Sequence, residues 1–156
     1  MDYEAACMFR QEPSSVPSQD LGNKHKFRRP RVLIADDHDV VLEHAVSLLQ
    51  NYDVVGTAHD GSELVAEALR LEPDLIVSDI TMPTLNGIDA AHELREAGSA
   101  AKFVFLTVHS QRAFLEACFA EGALGYVTKS HMGTDLLPAL NDALCGRHFI
   151  SPSLPR

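Results

Sequence analysis

The sequence predicts a doubly wound α/β domain on a five-stranded parallel sheet with strand order 2-1-3-4-5. Three observations carry that expectation. Five short runs recur between residues 31 and 128, several apolar at consecutive positions, as in parallel strands covered on both faces. Stretches of helical period separate these runs, and Gly61, Gly98, Gly122 and Gly146 fall where the stretches start or stop. With 156 residues, 46% of them hydrophobic, the chain suits one domain of ordinary size and a tail. A chain of this length buries roughly 68–70% of its unfolded surface, so it needs neither disulfides nor a structural metal to fold.

Residues 1–29 read as a disordered extension, because 11–26 (QEPSSVPSQDLGNKHK) are rich in Pro, Ser and polar residues and lack an apolar period. The basic run from Lys24 to Arg31 reads as a solvated domain boundary. The domain is expected over 30–147. RVLIA (31–35) is the first strand, followed by a helix with the stripe Val41, Ala45, Leu48 and Leu49. DVVGTA (53–58) precedes a helix carrying Leu64, Ala68 and Leu71, and DLIVS (74–78) precedes a weaker stripe of Ile88, Ala91, Leu94 and Arg95. KFVFL (102–106) leads to Phe114, Ala117 and Cys118, and LGYVT (124–128) to Leu136, Leu137, Leu140 and Leu144. Proline is tolerable only in the first turn of a helix, so Pro138 predicts a start for the last one near Thr134. Residues 148–156 read as a linker remnant.

Net charge is −9, unevenly distributed. Residues 1–31 carry six basic and four acidic residues, leaving seven against eighteen, or −11, on the remainder. Such a surface repels a phosphate backbone, so DNA contact is expected only through another domain. No apolar run reaches 18 residues and no signal-peptide stretch occurs near the start, so no membrane contact and a cytoplasmic location are expected. Cys7, Cys118 and Cys145 are odd in number and widely spaced without a CxxC pair, suggesting neither a zinc ribbon nor a disulfide framework.

In doubly wound sheets the site lies at the carboxyl ends of the strands, near the topological switch point. Asp36 and Asp37 follow the first run, Asp79 the third, Thr107 the fourth and Lys129 the fifth. Three carboxylates within about 4 Å repel by roughly 4 kcal/mol per pair at an effective dielectric of 20, so they call for a cation. Oxygen ligands favour a hard ion, and Mg²⁺ fits because it takes one or two carboxylates and phosphate oxygens while keeping waters. Asp79, on the expected central strand before the Met82-Pro83 loop, is predicted to be an exposed nucleophile toward phosphorus. Asp36 and Asp37 are the better metal ligands, and Lys129 adds a point charge.

The segments LIADDH (33–38), VSDITMPTLNG (77–87), FLTVHS (105–110) and GALGYVTKS (122–130) closely resemble the receiver domain of two-component response regulators, in order and spacing, over about residues 31–150. The resemblance implies a flavodoxin-like receiver fold, with Asp79 as phosphoacceptor, Asp36 and Asp37 as the Mg²⁺-holding pair and the Thr81 backbone as a further ligand. It also implies Thr107 as the switch hydroxyl, Lys129 as the phosphate-contacting lysine and Tyr126 as the switch aromatic. ADDH and the ending GRHFISPSL (146–154) are similar to the NarL/FixJ subfamily, whose receivers usually precede a LuxR-type helix-turn-helix domain. The implied partners are a sensor histidine kinase, a second copy in a homodimer, and DNA through an output domain missing from this chain. In the implied mechanism Thr107 moves toward the phosphoryl group, Tyr126 turns inward behind it, and the face of the fourth and fifth helices changes shape.

Competing expectations are a stand-alone receiver acting by protein contact, a haloacid-dehalogenase-like phosphatase, suggested by Asp37-His38-Asp39, and a flavin or nucleotide module. The phosphatase lacks length and an acidic pair after Lys129; the nucleotide module would need a Gly-rich turn where ADDHD stands. An enzyme in its own right is not expected beyond weak autophosphatase chemistry, which Val108, Thr81 and His109 are expected to slow. The eight histidines lack ligand spacing and read as surface residues.

Overall fold

The computed structural model describes residues 28–154. The expectations for residues 1–27 lie outside them. The described chain runs β1 (Arg31–Ala35), α1 (Asp39–Leu48), β2 (Asp53–Ala58), α2 (Gly61–Leu71), β3 (Leu75–Ser78), α3 (Gly87–Glu96), β4 (Lys102–Thr107), α4 (Arg112–Ala120), β5 (Gly125–Thr128), a 3₁₀ turn (Lys129–His131), α5 (Met132–Leu144) and β6 (Phe149–Ile150). All strands pair in parallel, in the order β2-β1-β3-β4-β5-β6.

The consecutive apolar strand positions separate onto two faces, as the period of 2 requires. Leu33, Ile76, Phe103, Phe105 and Tyr126 join Leu64, Ala68, Ala91, Leu94 and Cys118 in one cluster. Val32, Ile34, Val77, Val104 and Val127 join Leu42, Ala45, Leu49, Leu136 and Leu140 in the other. Two helix starts, those of α2 and α3, are capped by polar side chains: Asp60 accepts from the Glu63 amide at 2.8 Å and Asn86 from the Asp89 amide at 2.8 Å, each satisfying an otherwise unpaired N–H.

Several expectations change. The sheet has six strands, not five. Phe149 and Ile150, assigned to the linker remnant, pair with Gly125 and Tyr126. Beyond them the Ser151 hydroxyl donates to buried Asp135 at 2.7 Å and Leu154 enters the core, so 149–154 belong to the folded body. A two-residue strand is too short to show a period, which is why the sequence concealed it. Helix α5 begins at Met132, not near Thr134, and holds Pro138 inside. The ring sits on the exposed side, facing solvent with Thr134, so the carbonyl it leaves unpaired can be hydrated. In α1 the buried stripe includes Leu42, whereas Val41 is only half-buried. Cys118 is a buried free thiol, whereas Cys145 is disulfide-bonded, although the number and spacing of the cysteines suggest no disulfide framework. Among the described residues no helix is long and apolar enough to cross a membrane.

Candidate phosphoacceptor site

The carboxyl ends of β1, β3, β4 and β5 converge on one edge of the sheet, and the expected constellation assembles there. Parallel pairing sets this directly, because Ala35 is in register with Ser78, Ser78 with Phe105 and Thr107 with Thr128. The Asp36 amide is tied to Ala58 at 3.0 Å and the Asp79 amide to Ala35 at 2.9 Å, extending the ladders by one residue and fixing where both carboxylates point.

Lys129, carried by the 3₁₀ turn after β5, places Nζ 2.7 Å from Asp36 Oδ2 and 2.9 Å from Asp79 Oδ2. Asp36 is 1% exposed and Asp79 4% exposed, so both carboxylates have lost most of their water. Burial works against the Lys129 ammonium, but hydrogen bonds and charge from Asp36 and Asp79 outweigh it and hold its pKa above the ordinary lysine value. The expectation of an exposed Asp79 is thus corrected: the loop after β3 folds back, with the Gly87 amide on the Ile80 carbonyl at 2.6 Å, and the Ile80 amide donates to Asp79 Oδ1 at 2.7 Å.

Asp36, Asp37, His38 and Asp79 present ligand atoms within 4.8 Å of one another. Buried Asp36 Oδ2 makes its ion contact with Lys129 yet has no hydrogen bond of good geometry. That atom, an oxygen-rich donor set and exposed Asp37 at the rim fit a hard divalent cation.

Thr107 is buried at the end of β4 and accepts from the His109 amide at 3.2 Å. Tyr126 is already inward: it is 0% exposed, and its hydroxyl donates to the His109 carbonyl at 2.9 Å. The inward turn that the resemblance implied is therefore not a movement this conformation has left to make. Burial, with the nearby Cys118 and Asp79 charges, raises the Tyr126 phenol well above its usual range.

Two histidines gain contacts that ligand spacing could not reveal. His38 is on the surface as expected, but its Nδ1 lies 3.1 Å from both Asp36 Oδ1 and Asp37 Oδ1. His109 Nε2 hydrogen-bonds the Thr81 hydroxyl at 2.7 Å, and its ring stacks on Phe114 with centroids 4.2 Å apart. The sequence signal available was adjacency, since each histidine lies within two residues of a predicted site residue.

Residues 32–141 match the family described as the response regulator receiver domain. Response regulator GacA of Pseudomonas viridiflava is 33% identical over 127 residues, 80% of this chain and 59% of that protein. Transcriptional regulatory protein PdtaR of Mycobacterium tuberculosis is 39% identical over 116 residues, 73% of this chain and 56% of that protein. The chain thus spans somewhat more than half the length of these curated relatives. Among solved structures, a LuxR-family two-component response regulator from Aurantimonas sp. SI85-9A1 superposes with a TM-score of 0.77 at 35% identity, covering 81% of this chain and 92% of that one. The receiver domain of the putative response regulator NarL from Mycobacterium tuberculosis gives a TM-score of 0.73 at 28% identity, covering 77% and 99%. With its parallel sheet, its acidic edge and this match over most of its length, the chain belongs to the response regulator receiver domain family, among neighbours of the LuxR and NarL type.

Proposed function

We propose that this chain is a phosphorylation switch: Asp79 accepts a phosphoryl group from a phosphohistidine of a sensor kinase, and the resulting change controls transcription through a helix-turn-helix output domain. The observation that carries this reading is the Lys129 ammonium held between the Asp36 and Asp79 carboxylates, 2.7 and 2.9 Å away.

In the transfer, an Asp79 carboxylate oxygen attacks phosphorus, the phosphorus–nitrogen bond of the donor breaks, and the product is an acyl phosphate. Lys129 is placed to follow the developing charge, exchanging part of its contact with Asp79 for a phosphoryl oxygen. Asp36, Asp37, Asp79 and the Thr81 backbone would hold Mg²⁺, which when bound neutralises charge on the transferred group. The Thr107 hydroxyl, buried one strand away, is the group that would follow the phosphoryl oxygen. Because Tyr126 bonds the backbone two residues beyond Thr107, a shift of that loop reaches the β5 and α4 surface directly. Reversing a 1:99 equilibrium requires about 5.5 kcal/mol of differential interaction, which charge-assisted hydrogen bonds to a dianion can largely supply.

The names of the relatives, transcriptional regulatory proteins among them, support the transcriptional part of the reading. DNA contact through a separate domain, a homodimer, a cytoplasmic location and no turnover beyond weak autophosphatase chemistry complete the proposal. Titrating the protein with Mg²⁺ and beryllofluoride while recording amide NMR spectra tests it. Shifts are expected around Asp79, Thr107, Tyr126 and Lys129 and should vanish in Asp79→Asn; shifts that persist in that variant would overturn the assignment.

A further inference from the structure

A groove of about 820 Å³ opens on the side of the molecule away from the acidic edge, between the C-terminal end of α1 and the middle of α5. Its size falls within the roughly 300–1,000 Å³ of ligand clefts. Pro30, Leu48, Tyr52, Leu137, Pro138 and Leu144 give it an apolar lining, and Leu137 is 42% exposed. The acidic site shares no residue with it.

The chain itself enters the fold at this groove. Pro30 is part of the lining, and the preceding Arg29 donates from its guanidinium to the Gln50 carbonyl at 3.2 Å, Gln50 being on the rim. Arg28 is held on Asp74 at 3.1 Å. Residues 1–27 therefore join the body beside the apolar surface. Their composition is split: 11–26 are polar and rich in Pro and Ser, whereas 1–10 (MDYEAACMFR) concentrate Tyr3, Met8 and Phe9.

We propose that residues 1–10 dock in the groove between α1 and α5 of the same chain, with Met8 and Phe9 as the anchoring side chains. The reach suffices: 18 residues, reckoned as a random coil, span on the order of 20–25 Å and extend to about 60 Å at most. Tethering raises the effective concentration of the segment to about the millimolar range, so even a weak hydrophobic contact is populated without a partner.

The chain has no tryptophan, so Phe9→Trp supplies a single reporter. The measurement is its emission and iodide quenching in the full chain, with reductant present so that no disulfide contributes. A blue-shifted, protected emission is expected, independent of protein concentration, and Leu137→Asp should move it to that of a free peptide of residues 1–15 carrying the same substitution. Circular dichroism of the Leu137→Asp chain confirms that the fold is intact, as its exposed position leads one to expect. Emission like that of the free peptide in the full chain, or protection indifferent to Leu137→Asp, would overturn the proposal. Protection that disappears on dilution, with dimers in sedimentation, would assign the groove to a second copy and overturn it equally.

Discussion

Lys129 stands between two carboxylates that burial has stripped of water, with its ammonium 2.7 Å from Asp36 Oδ2 and 2.9 Å from Asp79 Oδ2. Removing one partner of a buried ion pair costs about 3–5 kcal/mol, because the remaining charge is left uncompensated. Lys129→Ala is therefore expected to lower stability by about 3 kcal/mol at neutral pH in chelator, with part of the loss restored by Mg²⁺, as urea unfolding would show. Equal stability of the variant in chelator would contradict the pairing. Val108 is 72% exposed beside buried Thr107, and the Thr81 and His109 side chains bond each other at 2.7 Å across the site. On the proposed function these side chains would narrow the approach of water to an acyl phosphate, so Val108→Ala is expected to hasten dephosphorylation; an unchanged decay of the phosphoprotein would show that Val108 plays no such part. At this scale the sequence was informative about identity and poor about environment. Residue type and position after each strand picked out Asp36, Asp37, Asp79, Thr107 and Lys129, but the burial of Asp79, the inward Tyr126 and the contacts of His38 and His109 arise from side-chain directions that no local pattern encodes.

Among the elements, the segment joining β3 to α3 shapes the site most. Gly87 opens α3 where its Cα faces the Asp79 carbonyl so closely that a Cβ would overlap it, with the Ser78 hydroxyl 3.0 Å away. Thr84, in the same loop, adopts φ 64°, a left-handed conformation costly for a β-branched residue. Gly87→Ala is expected to cost about 1–3 kcal/mol by forcing helix and strand end apart, and to weaken beryllofluoride binding because Asp79 moves with its backbone. Unfolding and binding titrations on one preparation read both effects, and a variant that matched the parent in both would refute the close approach. The five longer strands were legible because each is a short run rich in apolar residues, several of them apolar at consecutive positions, with boundaries within a residue or so of those expected. β6 was not legible: its two residues are too few to show a period, and they are held by backbone hydrogen bonds from Phe149 and Ser151 to Leu124 and Tyr126. Pro138 misplaced the start of α5 because the rule against internal proline weakens on a solvated helix face.

For the whole molecule, the −11 carried by residues 32–156 has a local component, since Asp36, Asp37 and Asp79 form a charged pocket rather than part of an even acidic surface. Alkaline stability reports on the interior instead. Burial pushes the Cys118 thiol up to about 12 from 9.0, and Tyr126 and Lys129 are raised as well. Each group keeps its proton longer when folded than when unfolded, so stability is fully present below the unfolded pKa values and falls as pH rises through the folded ones. The free energy of unfolding is expected to decline from about pH 9 upward, and Cys118→Ala to decline less steeply between pH 9 and 12; parallel curves would contradict the buried thiol. The central claim is that Asp79 receives the phosphoryl group at a site completed by Lys129 and a divalent cation. Intact-protein mass spectrometry after incubation with acetyl phosphate tests it most directly. One added phosphoryl group is expected in the presence of Mg²⁺ and none in chelator or in Asp79→Asn. An equal mass gain in Asp79→Asn, or no gain in the unaltered protein with Mg²⁺, would contradict it.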